Sequence, residues 1–145
     1  MITYSQLQDL HEQIKTGKPV FSTRVQLNAL DTIAMICNTG QFGYIELVEE
    51  YGSPLTIETI NHACAVSSLP VIVKINRQNQ ESIAQNCITV GASGILFVEA
   101  TSADDVRHCV NILRPASVNG GGLYGAKGTV FCPLPGAGSP KFPDS

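Results

Sequence analysis

The sequence repeats one pattern four times: an apolar, β-branched stretch, then a polar loop, then an amphipathic stretch. Stretches of the first kind predict strands, and those of the last kind, with apolar residues at helical spacing, predict helices. The predicted strands are Pro19–Leu27, Phe42–Val48, Leu69–Ile75 and Ser93–Val98, and the helices that follow them are Ala29–Asn38, Ile57–Ser67, Glu81–Val90 and Ala103–Leu113. Because connections between parallel strands are right-handed by default, this order predicts an α/β fold with four parallel strands, a partial (β/α)8 barrel.

The chain length sets the extent of that barrel. A complete barrel needs about 250 residues, whereas this chain has 145. We divide it into an N-terminal helix (1–18), four β-α units of a half barrel (19–118) and a Gly/Pro-rich loop and tail (119–145). In such barrels the site lies at the carboxyl ends of several strands. Half of the strands therefore supply only part of a site.

Composition excludes several classes of function. A net charge of −3 and the absence of a basic run argue against a nucleic-acid partner or an anionic membrane surface. The chain contains no apolar run of roughly 18 residues, and its first residues lack the apolar core of a signal peptide. We therefore predict a cytoplasmic protein without a membrane partner. The first four of its five cysteines fall one per predicted helix, which is typical of small buried hydrophobes.

Several segments carry a family resemblance. They are Gly40–Pro54, Ile57–Thr59, Pro70–Ile75, Gly91–Thr101, Ala103–Val110 and Gly120–Gly125. Together they make the chain resemble the HpcH/HpaI aldolase family, the class II pyruvate aldolases of the phosphoenolpyruvate/pyruvate barrel superfamily. The resemblance covers roughly residues 14–125, about the first half of that family's barrel.

The resemblance implies a set of site residues. In the family, an arginine on strand three holds the substrate, and a histidine after strand two takes part in proton transfer. Here Lys74 stands at the arginine position and Tyr51 at the histidine position, while Glu50 and Gly52 match the motif. This implies catalytic roles for Glu50 and Tyr51 and substrate binding by Lys74 and Gly52. We add Glu99 to the substrate-binding group, because it follows strand four at the same rim.

The family's cofactor is a divalent metal that chelates pyruvate and stabilises its enolate. The resemblance therefore implies Mg, Mn or Co, but the family's metal ligands lie on strands five and six, which this chain lacks. We predict that no residue of this chain is a metal ligand, and that a metal depends on residues outside the chain or on a partner copy. The implied partners are a small 2-oxo acid and a further copy in a homo-oligomer.

Each candidate residue also has a structural interpretation. Lys74 ends an apolar strand and could bind a carboxylate, form a Schiff base or reach solvent. Glu49 and Glu50 are either acid/base groups or a solvated pair, and Tyr51 either donates to an enolate oxygen or packs against its loop. Arg24 would be an unusual inward-pointing charge.

The predicted function is an aldolase-like carbon–carbon lyase that acts on 2-oxo acids, in an incomplete or degenerate form. The alternative is a non-catalytic half-barrel that serves as an assembly or binding module.

Overall fold

The computed structural model describes residues 4–26, 30–48, 56–114, 116 and 122–124. Helices and strands alternate along these residues, as the repeat predicts. Their order is α1 (Tyr4–Lys15), β1 (Ser22–Val25), α2 (Leu30–Asn38), β2 (Tyr44–Val48), α3 (Ile57–Val66), β3 (Val71–Ile75), α4 (Gln80–Thr89), β4 (Gly94–Phe97) and α5 (Ala103–Leu113). The strands are shorter than predicted, because the apolar stretches continue into the loops on either side.

The four strands form one parallel sheet in the order β1-β2-β3-β4. Sequential order with a helix after each strand is the arrangement of consecutive units of a (β/α)8 barrel. The predicted fold class is therefore confirmed. The edges of this sheet are β1 and β4, since each pairs with one neighbour among the described strands.

One face of the sheet packs against the helices and forms the core. Alternate residues of the inner strands point into it: Ile45, Leu47, Val71, Val73 and Ile75, each at most 3% exposed. The helices meet them with the buried residues Ile33, Ile60, Ala63, Ala84, Cys87 and Ile112. The alternation breaks at Val48, which is 3% exposed although its register places it on the opposite face with Lys74.

Local sequence signals begin and end the helices. Thr56 caps α3 by accepting a hydrogen bond from the Thr59 backbone N–H at 3.2 Å. Ser102 and Asp105 form a capping box at the start of α5. Gly40 follows α2 with a φ of +65°, the left-handed conformation that glycine adopts at low cost.

The cysteines behave largely as predicted. Cys64, Cys87 and Cys109 are buried, and Cys37 is half-buried, with its sulfur 3.6 Å from the Ser67 hydroxyl. Burial raises the pKa of Cys64 to about 11, so this thiol stays protonated at neutral pH. Cys132 lies outside the described residues.

A helix that crosses a bilayer needs about 20 consecutive apolar residues. Among the described residues, none is both long enough and apolar enough to cross one.

The position of the core predicts that two isoleucines contribute very differently to the free energy of unfolding. Replacing Ile45, which is fully buried on β2, by alanine should lower the free energy of unfolding by about 2–5 kcal/mol, because a cavity remains in the packed face. Replacing Ile14, which is 59% exposed on α1, should change it by less than about 0.5 kcal/mol. Urea denaturation of both variants measures the difference. Equal losses would contradict the assignment of the core to this face.

Candidate active site

The strand register places every charged residue of the sheet on the face that the helices leave uncovered. Arg24 is in register with Glu46, which is in register with Ile72 and then Gly94. The next row toward the carboxyl ends contains Val48, Lys74 and Leu96. In-register residues of a parallel sheet share a face, and side chains alternate between faces along a strand. We call this surface the open face; in a closed barrel it would line the interior.

Arg24 and Glu46 form an ion pair on the open face. The Arg24 Nε lies 3.3 Å from Glu46 Oε1, with the arginine side chain 51% exposed and the glutamate side chain 14% exposed. Oε1 itself is buried and has no hydrogen-bond partner among the described residues. The two groups are therefore close enough for electrostatic attraction but are not aligned as a hydrogen bond. This explains how the open face holds an inward-pointing arginine.

Lys74 is half-buried on the open face, one residue before the end of β3. Its row lies nearer the carboxyl ends of the strands than the row of Arg24 and Glu46. This is the end of the sheet at which (β/α)8 barrels carry their sites. The structure thus places Lys74 where a substrate-binding side chain would be expected to lie.

The loop that follows β2 carries three of the predicted site residues. Glu50, Tyr51 and Gly52 lie outside the described residues, as does Glu49. Their predicted roles stay predictions. What the structure fixes is their starting point, because β2 ends at Val48, which is in register with Lys74.

Glu99 follows β4 at the same rim and has an exposed side chain. Its backbone adopts the left-handed conformation, with a φ of +61°, which is uncommon for a residue with a side chain. The carbonyl oxygen of Glu99 accepts a hydrogen bond from Arg77 Nη1 at 3.0 Å. The turn after β4 is therefore joined to the turn after β3.

Asp105 completes this link between the two turns. Its Oδ1 lies 3.0 Å from Arg77 Nη2, and its Oδ2 accepts hydrogen bonds from the backbone N–H and hydroxyl of Thr101 at 3.0 and 2.8 Å. The Thr101 backbone N–H, followed by its hydroxyl, is the main cause that lowers the pKa of Asp105 to about 2. The guanidinium of Arg77 adds to this shift. Arg77 and Asp105 thus hold the rim rather than face the open sheet.

Sequence reasoning missed two of these residues, Glu46 and Arg77. The sequence does hold a signal for Glu46, because it is the charged residue at the centre of an otherwise apolar strand. By alternation it shares a face with Tyr44 and Val48. Arg77 follows β3 by two residues, but its partner Asp105 is 28 residues further along the chain. No local pattern connects them.

The described residues do not provide a site for the divalent metal that the family resemblance implies. Within the described residues, no three His, Cys, Asp or Glu side chains are placed to hold a metal ion together. His11, His62 and His108 are exposed on separate helices. The described residues therefore do not fit a resident divalent metal.

Comparison with known proteins relates the fold of this chain to solved structures. No protein-family profile and no curated protein matches the sequence. Among solved structures, the chain is similar to an HpcH/HpaI aldolase from Desulfitobacterium hafniense DCB-2, with a TM-score of 0.66 and 25% sequence identity. The match covers 82% of this chain and 45% of that chain, so this chain spans less than half the length of the aldolase. The predicted resemblance is confirmed, with coverage consistent with the N-terminal half of the aldolase.

The low pKa of Asp105 predicts a pH-dependent stability. In the unfolded chain the pKa of an Asp is about 3.9, well above the value in the fold. The carboxylate therefore stabilises the fold fully above about pH 4, and this contribution is lost as the pH falls through about 2. Asp105→Asn should lower the melting temperature clearly at pH 6, and the gap from the unmodified protein should narrow toward about pH 2.

Asp104→Asn is the matched control for this measurement. Asp104 lies in the same first turn of α5, but its partner is the exposed Arg107, three residues away on the same helix. Such an exposed pair contributes little to stability. A pH-independent gap for Asp105→Asn, or an equal effect of both variants, would contradict the role assigned to Asp105.

Proposed function

We propose that this chain forms the substrate-binding part of an aldolase-like carbon–carbon lyase that acts on 2-oxo acids. The observation that carries the proposal is the structural match to an HpcH/HpaI aldolase, combined with the position of Lys74 on the open face. Because the chain covers less than half of that aldolase, the proposal concerns a partial site.

The charge of the open face favours an anionic ligand. Within the four strands, the open face carries two cations, Arg24 and Lys74, and one carboxylate, Glu46. Glu46 lies beside Arg24 at 3.3 Å, one row deeper than Lys74. A carboxylate group is the complement that the row of Lys74 would attract. A 2-oxo acid carries such a group next to its carbonyl carbon.

Lys74 would bind the substrate carboxylate through its ammonium group. A lysine keeps the charge of the arginine that the family resemblance places here, but it offers a single compact donor group in place of the planar fork. The half-buried position reduces solvent screening of that charge. We therefore expect carboxylate binding with less control over orientation than an arginine would give.

Proton transfer is assigned to the loop after β2. In aldol cleavage, a base removes the hydroxyl proton of a 4-hydroxy-2-oxo acid, the carbon–carbon bond breaks, and an aldehyde and an enolate form. The enolate then takes a proton at carbon. Glu50 is the proposed base, because an unperturbed tyrosine with a pKa near 10 is a poor base at neutral pH. Tyr51 would donate a hydrogen bond to the enolate oxygen, with Gly52 and Glu99 lining the substrate.

A divalent metal, Mg, Mn or Co, stays a separate proposal that rests on the family resemblance. Since the described residues do not fit a metal, we assign none of its ligands and no step to it. A non-catalytic binding half-barrel is the competing proposal, favoured by the two sheet edges at β1 and β4.

Calorimetric titration with pyruvate tests the role of Lys74. Lys74→Ala should weaken pyruvate binding by about tenfold or more, since an ion pair of a half-buried charge is lost. Lys74→Arg should retain binding. Lys15→Ala, which removes an exposed lysine of α1, is the matched control and should bind as the unmodified protein does. Unchanged binding by Lys74→Ala would exclude Lys74 from substrate recognition.

A borohydride reduction in the presence of pyruvate separates two roles of Lys74. If Lys74 binds the carboxylate by charge alone, the intact mass of the protein stays unchanged. A covalent adduct at Lys74, located by peptide mass spectrometry, would show that Lys74 forms a Schiff base with pyruvate and does not act by charge alone.

Catalysis itself is tested by a retro-aldol and condensation assay with pyruvate and Mg²⁺, Mn²⁺ or Co²⁺. We expect turnover that Glu50→Gln abolishes. Pyruvate binding without turnover under all three metals would favour the non-catalytic binding module instead.

A further inference from the structure

In the part of the chain that the structure describes, an apolar surface is exposed along the sheet edge at β4. Val106 and Val110 of α5 are 52% and 42% exposed, although both are large apolar residues. Together with Leu113 and with Ile95 and Phe97 of β4, they line a groove of about 310 Å³. We call this surface the β4 flank. In helical projection Val106 and Val110 lie on the opposite side from Ile112, which joins the core.

A second apolar surface lies at the other edge, beside β1. Phe21 is 68% exposed and directly precedes β1. Its carbonyl oxygen accepts a hydrogen bond from the Gly43 backbone N–H at 2.8 Å, which continues the pairing with the β2 side. By alternation Phe21 shares the helix-covered face with Thr23 and Val25.

The two surfaces are complementary in a parallel barrel. The helix that follows a strand packs over the groove between that strand and the next one, because the crossover is right-handed. The strand after β4 would therefore be covered by α5. This helix runs back toward the amino ends of the strands. Val110, in the second half of α5, therefore lies at the height of the amino end of the strand that would pair with β4. Phe21 occupies that level on β1.

We propose that a second copy of this chain docks at these edges, with β4 of each copy beside β1 of the other. A two-fold axis along the central axis of the barrel generates both contacts at once and closes the ring. The result has eight parallel strands, the number of a (β/α)8 barrel. The length of the matched aldolase, of which this chain covers 45%, agrees with two such halves. This inference does not depend on catalysis.

The area of the two contacts is sufficient for a stable dimer. Each contact is roughly 15 Å high, the length of a four-residue strand or of α5, and roughly 20 Å deep through the sheet and helix layers. Two contacts with two sides each therefore bury on the order of 1,200 Å², the lower limit for specific interfaces. The aliphatic residues of the β4 flank and the aromatic ring of Phe21 would lie at its centre.

Residues 122–124, the last that the structure describes, do not cover the β4 flank. Leu123 and Tyr124 bond instead to Asn111 and Arg114 at the end of α5, and the Leu123 carbonyl accepts from Gln85 of α4 at 3.1 Å. This places residues 122–124 on the α4 side of α5. A second copy is therefore the occupant that the geometry favours for the β4 flank.

Closure would also complete the site. The two open faces would become one interior, with Arg24 and Glu46 entering as an ion pair in each copy. Lys74 of both copies would then face the same mouth. Any ligand of this mouth would be bound by residues of two chains.

Light scattering and sedimentation equilibrium of the full chain test the proposal. We expect a dimer, with twice the 15.5 kDa mass of one chain. Val110→Glu and Phe21→Lys should each raise the dimer dissociation constant by about tenfold or more, because either change places a charge in both contacts. The double variant should recover at least part of the loss, since the carboxylate introduced on α5 of one copy would then meet the ammonium group introduced before β1 of the other.

Two controls make the result specific. Val66→Glu alters a comparably exposed valine, 38% exposed on α3 and away from both edges, and should leave the dimer intact. The like-charged variant Val110→Glu with Phe21→Glu should stay dissociated. Circular dichroism verifies that all variants fold.

Three outcomes would overturn the proposal. The first is that the unmodified chain is a monomer. The second is that Phe21→Lys leaves the dimer intact, which is the result expected if β4 of one copy pairs with β4 of the other. The third is that Val66→Glu dissociates the dimer as strongly as Val110→Glu does. Since none of these measurements uses pyruvate, their failure is distinguishable from failure of the proposed lyase function.

Discussion

The structure depends on the burial of one face of a parallel sheet by the helices that connect its strands. A right-handed crossover places each connecting helix on the same side of the sheet when the strands follow one another in order. The core therefore forms between that face and the helices, around residues such as Ile45, Val73 and Ile112. The opposite face is left without helices, and that is where the charged side chains lie.

The open face accounts for the candidate chemistry. A charge within the core would be costly, whereas Arg24, Glu46 and Lys74 lie on the face that a closed barrel turns toward its interior and mouth. The rim beside them is held by a different set of groups, in which Arg77 joins the turns after β3 and β4 through Asp105. The charged side chains of the open face and the groups that fix the rim are thus two separate sets that lie side by side.

The same burial rule explains the two edges. The sheet has a helix over each groove between its strands, and α5 extends past β4, the last of the strands that the structure describes. Val106 and Val110 are exposed on the part of α5 that extends past β4, and Phe21 is exposed at the outer edge beside β1. Strand edges and apolar helix flanks of this kind favour association. A site that needs all eight strands of a barrel then depends on which strands complete the four described here.

Much of this protein was determined by the sequence alone. The period of the apolar residues fixed the number, type and order of the elements, because strand and helix periods differ and the connection rule leaves few topologies. The capping residues Thr56 and Ser102 are local signals of the same kind. The position of Lys74 on a strand end followed from its place in an apolar run.

Only the tertiary structure decided which charges meet. The pairing of Arg24 with Glu46 depends on strand register, and a shift of one residue would place them on opposite faces. The link from Arg77 to Asp105 depends on two turns that are brought together by the sheet. Periodicity along a chain specifies which residues share a face of one element. It does not specify distances between elements, which are set by packing.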